Sequence, residues 1–145
     1  MKKIGLSWLS SYVILASLLL SCANPLIGKV LPEGNYPEIS RDCRHHVVMK
    51  HIILDYDCLI NDEDKTITFD GHAEMNENGF SDGWEVTELF FTVYFLDSER
   101  KVVSVGYISI WPNKEASEKI KFKKTFEYNP QYKYIGYSYK SKAIL

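Results

Sequence analysis

The sequence predicts an all-β fold, a small antiparallel β-sandwich, and three observations carry that expectation. Between residues 65 and 75 apolar and polar side chains alternate, with Ile67, Phe69, Ala73 and Met75 on one face and Thr66, Thr68, Asp70, His72 and Glu74 on the other. A period of two is that of a half-buried strand. Runs rich in β-branched and aromatic residues recur at short, regular spacing between clusters of turn-forming residues. No convincing helix separates them, and such strands close as a sandwich or small barrel.

The elements follow in order. Residues 47–60 are β-branched and aromatic, and 61–64 (Asn-Asp-Glu-Asp) form a turn. Residues 65–75 are the alternating strand, and 76–83 an acidic loop containing glycine. Residues 88–96 are apolar on both faces, as a central strand requires. A hairpin turn at 97–100 leads into 101–111, a second turn follows at 112–114, and 119–128 and 132–139 are the last two strands. Residues 23–42 hold Pro25, Gly28, Pro32, Gly34 and Pro37 with no hydrophobic period, which predicts an irregular tether.

The chain has 145 residues, enough for one modest core once the first 21 are set aside. Those begin with Lys2 and Lys3, continue apolar and uncharged from Ile4 to Leu20, and end Leu19-Leu20-Ser21-Cys22. The charged start, apolar middle and small-residue end resemble a secretory signal. With the cysteine, the segment resembles a bacterial lipoprotein signal peptide and its lipobox. The resemblance implies cleavage before Cys22, a thioether-linked diacylglycerol on its sulfur and acylation of the new amino terminus. Two or more acyl chains anchor stably. Ala23 follows, where aspartate would signal inner-membrane retention, so the resemblance implies the periplasmic side of the outer membrane if the source is Gram-negative. The organisation expected is a leader at 1–21, a lipidated N-terminus and tether at 22–42, and a β-sandwich at 43–145.

The net charge is −2, and loss of Lys2 and Lys3 with the leader makes it more negative. Nothing in this balance points to nucleic acid. Two cysteines remain, Cys43 and Cys58, an even pair in a disulfide-permissive compartment. A bridge would tie the N-terminal segment to the first strand; the alternative is two free thiols, with Cys58 a core residue.

The stretch Val93-Tyr94-Phe95-Leu96-Asp97, followed by Lys101-Val102-Val103, resembles the strand–turn–strand core of immunoglobulin-like or transthyretin-like exported bacterial domains, particularly FxLYD domains. Pro112 and Tyr134-Ile135-Gly136-Tyr137 extend the likeness. It covers about half the chain. Leu96 stands where tyrosine is usual, and Arg100 where glycine would sit. The resemblance implies a fold and carries no reaction with it.

A turn at 61–64 pairs Ile60 with Lys65, which sets Asp57 opposite Thr68, Asp55 opposite Asp70, Ile53 opposite His72 and His51 opposite Glu74. Alternation then places His51, Asp55, Asp57, Asp70, His72 and Glu74 on one surface. Imidazole and carboxylate together suit divalent first-row metals, so His51, Asp55, Asp70, His72 and Glu74 form a candidate metal set. The plain alternative is a solvated polar face. His45 and His46 precede the first strand and, being adjacent in an extended chain, face opposite ways. Phe80 and Trp84 in the acidic loop are either ligand contacts or a plug for the end of the sandwich.

No nucleophile elbow, phosphate loop, zinc spacing or close acid pair is present, so no enzyme and no cofactor are expected. The expected function is that of a lipid-anchored, non-catalytic binding or assembly module. Its partners would be the membrane, through the anchor, and another envelope protein. The alternative is an envelope lipoprotein that binds a small molecule or divalent metal.

Overall fold

A computed structural model describes residues 24–75, 85–111 and 119–144. Cys22, Phe80 and Trp84 lie outside the described residues. Seven strands form among those described: β1 (Asp42–Val48), β2 (Ile52–Asn61), β3 (Thr66–Met75), β4 (Glu85–Leu96), β5 (Val102–Ile110), β6 (Ile120–Glu127) and β7 (Tyr134–Ile144). One sheet has the order β1-β2-β3-β6 and the other β5-β4-β7, and every pairing is antiparallel. The all-β sandwich expected from the sequence is therefore the fold. An immunoglobulin constant domain shares this four-over-three layering, with strands A, B, E, D over C, F, G. Here the chain order is 1, 2, 3, 6 over 5, 4, 7, so the layers agree and the connections differ.

The core lies between the sheets because alternate residues of each strand turn inward. Ile52, Leu54, Tyr56 and Cys58 of β2 and Ile67, Phe69 and Ala73 of β3 meet Leu89, Phe91, Val93 and Phe95 of β4, Ile108 and Ile110 of β5 and Ile135 of β7. As the run 88–96 predicts, β4 is the central strand of its sheet. The Tyr137 hydroxyl donates to the Tyr56 hydroxyl across the two sheets, which satisfies both groups away from water.

Three features differ from the sequence reading. The stretch expected as one strand over 47–60 is two. Met49 N bonds to Ile52 O (2.8 Å) in a tight reversal, and β1 precedes it, with Cys43, His45 and Val47 inward. The first turn is displaced by one residue. Asn61 pairs with Thr66, and the Asn61 Oδ1 accepts from the Glu63 and Asp64 amides (3.0 and 3.2 Å). The loop is closed by Lys65 at φ 50°. The register accordingly moves by two: Asp55 faces His72, Asp57 faces Asp70 and Ile53 faces Glu74. A slip of two keeps every side chain on its face and changes every partner.

The third feature is the segment expected as a tether. It lies on the domain from Asn24 onward. Gly28 N bonds to Val102 O and Val102 N to Lys29 O (2.8 and 2.9 Å), and Leu31 N to Arg100 O (3.0 Å). The segment then crosses to β7, where Ile135 N bonds to Pro37 O and Ile39 N to Lys133 O (2.9 and 2.8 Å). A Cβ on Gly136 would come within 3.3 Å of Leu31, 3.4 Å of Tyr94 and 3.5 Å of Tyr36, so glycine makes room for the crossing.

At the β4–β5 hairpin Arg100 N bonds to Asp97 O (3.1 Å), and Asp97 Oδ1 accepts from the Glu99 and Lys101 amides (2.9 and 3.0 Å). Arg100 has a φ of 62°, the left-handed region that favours glycine. It stands where the resembling domains carry one.

Candidate functional site

The outer face of the four-stranded sheet is built in rows. The register lines up Arg44, Asp57, Asp70 and Lys123 across β1, β2, β3 and β6, and beside them His46, Asp55, His72 and Lys121. Arg44 Nε donates to Asp57 Oδ1 (2.7 Å). Lys123 Nζ lies 3.0 Å from Asp70 Oδ2. His46 Nδ1 lies 2.6 Å from Asp55 Oδ1, and His72 Nε2 3.4 Å from Asp55 Oδ2. Lys119 Nζ lies 3.7 Å from Glu74 Oε2. Two aspartates directly opposite repel. Asp57 and Asp70 tolerate it because each has a cation on its far side.

The electrostatics follow the pairing. The hydrogen bond from Arg44 holds the Asp57 carboxyl below the usual carboxylate range and raises the guanidinium. The hydrogen bond with His46 lowers the Asp55 carboxyl, with smaller help from His72 and Lys119.

Of the five expected metal ligands, Asp55, Asp70, His72 and Glu74 share this face. His51 does not: it precedes β2, and its Nδ1 lies 2.9 Å from the Tyr139 hydroxyl of the opposite sheet. The three carboxylates among the others already have a basic neighbour, and His72 lies against Asp55. Among the described residues, the one group of three possible metal ligands whose donor atoms converge is Cys43, His45 and Cys58. Its two sulfurs are joined in a disulfide between directly opposed residues of β1 and β2, Cα atoms 5.2 Å apart. The bridge thus ties two neighbouring strands, not a strand to an irregular segment.

His45 and His46 do face opposite ways. His46 belongs to the charged rows. His45 points inward over the disulfide, its ring centroid 5.4 Å from that of Tyr56. The Glu38 backbone carbonyl accepts from the ring, yet burial prevails and lowers the imidazole pKa. Nε2 is buried without a hydrogen-bond partner.

Beside His45 the free side of β1 opens into a groove of about 710 Å³, lined by Asn35, Tyr36, Glu38, His46, Val48 and Tyr134 among others. β1 has a strand partner on one side only, and Val48 is 60% exposed. The sequence reading missed this site because it began the first strand at Val47 and read the residues before it as irregular, whereas β1 runs from Asp42. The alternation of Cys43, His45 and Val47 with Arg44, His46 and Val48 was the available signal.

The geometry thus defines a class, a small all-β sandwich strapped by its N-terminal segment, with a charge-compensated sheet face and an open strand edge. No protein-family model matches the chain, and no curated protein or solved structure does.

Proposed function

We propose that this chain is a lipid-anchored lipoprotein of the cell envelope that works as a non-catalytic binding or assembly module. The observation that carries the binding reading is the groove along the free edge of β1. An exposed strand edge accepts an extended segment of another chain through its backbone groups, and adjoining pockets select the side chains. The anchor rests on the motif ending in Cys22. The buried Cys43–Cys58 pair supports export, since disulfides persist in oxidising compartments. The likeness to FxLYD domains is supported at one point, the left-handed backbone of Arg100, which stands where those domains carry glycine. The alternative, divalent-metal binding on the sheet face, lacks support because each carboxylate there already faces a basic side chain.

Photocrosslinking in whole cells tests the binding reading. A crosslinkable residue at Val48 should give an adduct of discrete mass, and one at Asp64, in the far turn, should not. Equal adducts from both positions, or none from Val48, would overturn it. The anchor has its own test. Cys22→Ser should abolish lipid labelling and leave an unprocessed precursor, whereas normal processing of that variant would defeat the reading.

A further inference from the structure

We propose that the β5 side of the sandwich, including its seam with β6, rests on the bilayer and contacts anionic phospholipid. The inference deepens the lipoprotein reading and rests on it.

The first observation is covalent reach. Asn24 Nδ2 donates to the Tyr107 hydroxyl (2.9 Å), and Asn24 Oδ1 accepts from Leu26 N (3.0 Å). With the Gly28–Val102 bond, the chain is held against β5 from Asn24 onward. Cys22 is two residues upstream, and two residues of extended chain span at most about 7 Å. A diacylglycerol on Cys22 therefore brings the surface around Tyr107 to the headgroups, with no linker long enough to hold it away.

The second observation is where the exposed apolar residues lie. Among the described residues, large hydrophobic side chains are exposed at Ile27, Val30, Val48, Leu59, Tyr107 and Trp111. Four of the six belong to β5, its end or the strap beside it. Val30 bridges to Lys101, Ile27 precedes the Gly28 that bonds to Val102, and Tyr107 and Trp111, 58% and 66% exposed, come from β5 and the residue after it. Tyrosine and tryptophan favour the membrane–water boundary because each has an apolar body and a polar tip.

The third observation is charge. A groove of about 670 Å³ runs between residues 107–111 and 120–124 and is lined by Tyr107, Trp111, Lys121, Lys123 and Lys124. Lys123 pairs with Asp70. Among the described residues Lys29, Lys50, Lys65, Lys101, Lys121, Lys124, Lys133 and Lys140 have no acidic partner, and of these Lys29, Lys101, Lys121 and Lys124 lie along β5 or the groove beside it. Uncompensated lysines beside interfacial aromatics draw in anionic headgroups within a Debye length. Protection of an edge strand by an inward-pointing lysine explains Lys124 alone. It explains neither the two exposed aromatics nor their place beside the anchor.

The test uses the processed protein, reconstituted in vesicles of phosphatidylglycerol and phosphatidylethanolamine with bromine on the acyl chains near the headgroup. In Trp84→Phe, Trp111 is the one tryptophan left after the leader. Its emission should shift to the blue and lose intensity to the brominated lipid. Adding Lys121→Glu and Lys124→Glu should reverse most of that loss. In the unmutated protein, amine acetylation read by mass spectrometry should show Lys121 and Lys124 protected by vesicles and exposed in detergent, with Lys65 reactive in both. Unchanged Trp111 emission, or unchanged lysine reactivity, in protein whose N-terminal peptide carries diacylglycerol would overturn the docking face and leave the anchor standing. An N-terminal peptide without lipid would instead overturn the anchor, and the docking face with it.

Discussion

Phe69→Ala is the sharpest test of the core. Phe69 is 1% exposed. Its ring centroid lies 5.0 Å from that of Tyr56, 5.3 Å from Phe126 and 6.2 Å from Phe95, so one side chain joins β2, β6 and the facing sheet. Deleting a buried phenylalanine costs about 3–5 kcal/mol. Ring pairs add about 0.5–1.5 kcal/mol each beyond area burial, and sheets on both sides limit collapse of the cavity, which places the cost in the upper part of that range. Against a whole-domain stability of about 5–15 kcal/mol, this is a large fraction. A domain of this size loses roughly 3–5 °C of Tm per kcal/mol, so the melt should fall by well over 10 °C. In urea the midpoint should fall with the slope unchanged. Asp70→Asn supplies the contrast on the same strand. It removes an exposed pair with Lys123 that is worth about 0–1 kcal/mol and relieves Asp57 across the register, so the net change should stay within about 0.5 kcal/mol. A Phe69→Ala cost below about 1 kcal/mol, or a larger cost for Asp70→Asn than for Phe69→Ala, would refute the assignment of faces.

Three further outcomes follow from the geometry. Replacing both Cys43 and Cys58 by alanine should cost about 3 kcal/mol by the loop-entropy model, given their separation of 15 residues; unreduced, alkylated protein should show both thiols protected by mass spectrometry, and two alkylated cysteines would reject the bridge. Arg100→Gly should raise stability in a urea titration by about 0.5–1 kcal/mol, because glycine adopts the left-handed backbone without steric cost; the exposed contact with Glu33 lost in the change (3.7 Å) counts for little. Stability should fall in two acid steps: His45, whose pKa burial lowers from 6.5, contributes stability that is present above 6.5 and lost as pH falls through its folded value, while Asp55 and Asp57, lowered from 3.8 by their hydrogen bonds to His46 and Arg44, contribute stability that is present above 3.8 and lost below it. Melts of His45→Phe against pH should lack the first step and keep the second.

The sandwich was legible because burial imposes a period of two, and no neighbouring strand is needed to read it. β3 shows this most clearly: Ile67, Phe69 and Ala73 are inward as expected. Partners were not legible, because they depend on turns. Lys65 and Arg100 both adopt positive φ, a conformation for which glycine is the usual signal, so neither turn announced its geometry. β1 was hidden for a different reason. Its inward positions are Cys43, His45 and Val47, and two of the three carry no strong strand signal. The reversal at 49–51 contains no glycine, proline, asparagine or aspartate. The strap was hidden because, apart from the bond of Asn24 to Tyr107, its bonds to β5 and β7 are made by backbone atoms, which composition does not report.

The site was legible only as a face. Alternation gathers Asp55, Asp70, His72 and Glu74 on one surface in any register that keeps the apolar positions of both strands inward, which is why the sequence suggests metal chemistry there. What decides the chemistry is the row, and each row ends on β1 or β6, strands distant in the chain. Arg44 and His46 reach in from one side, Lys119 and Lys123 from the other. A carboxylate so flanked has little charge to offer a cation, since an ion would have to displace a partner already in place. The lysines along β5 and the groove beside it differ in kind. Lys121 and Lys124 have no acidic partner among the described residues and line the groove together with exposed Tyr107 and Trp111. The charges of the face richest in titratable groups are therefore paired with one another, and the proposed binding reading turns instead on its margins, the free edge of β1 and the seam between β5 and β6.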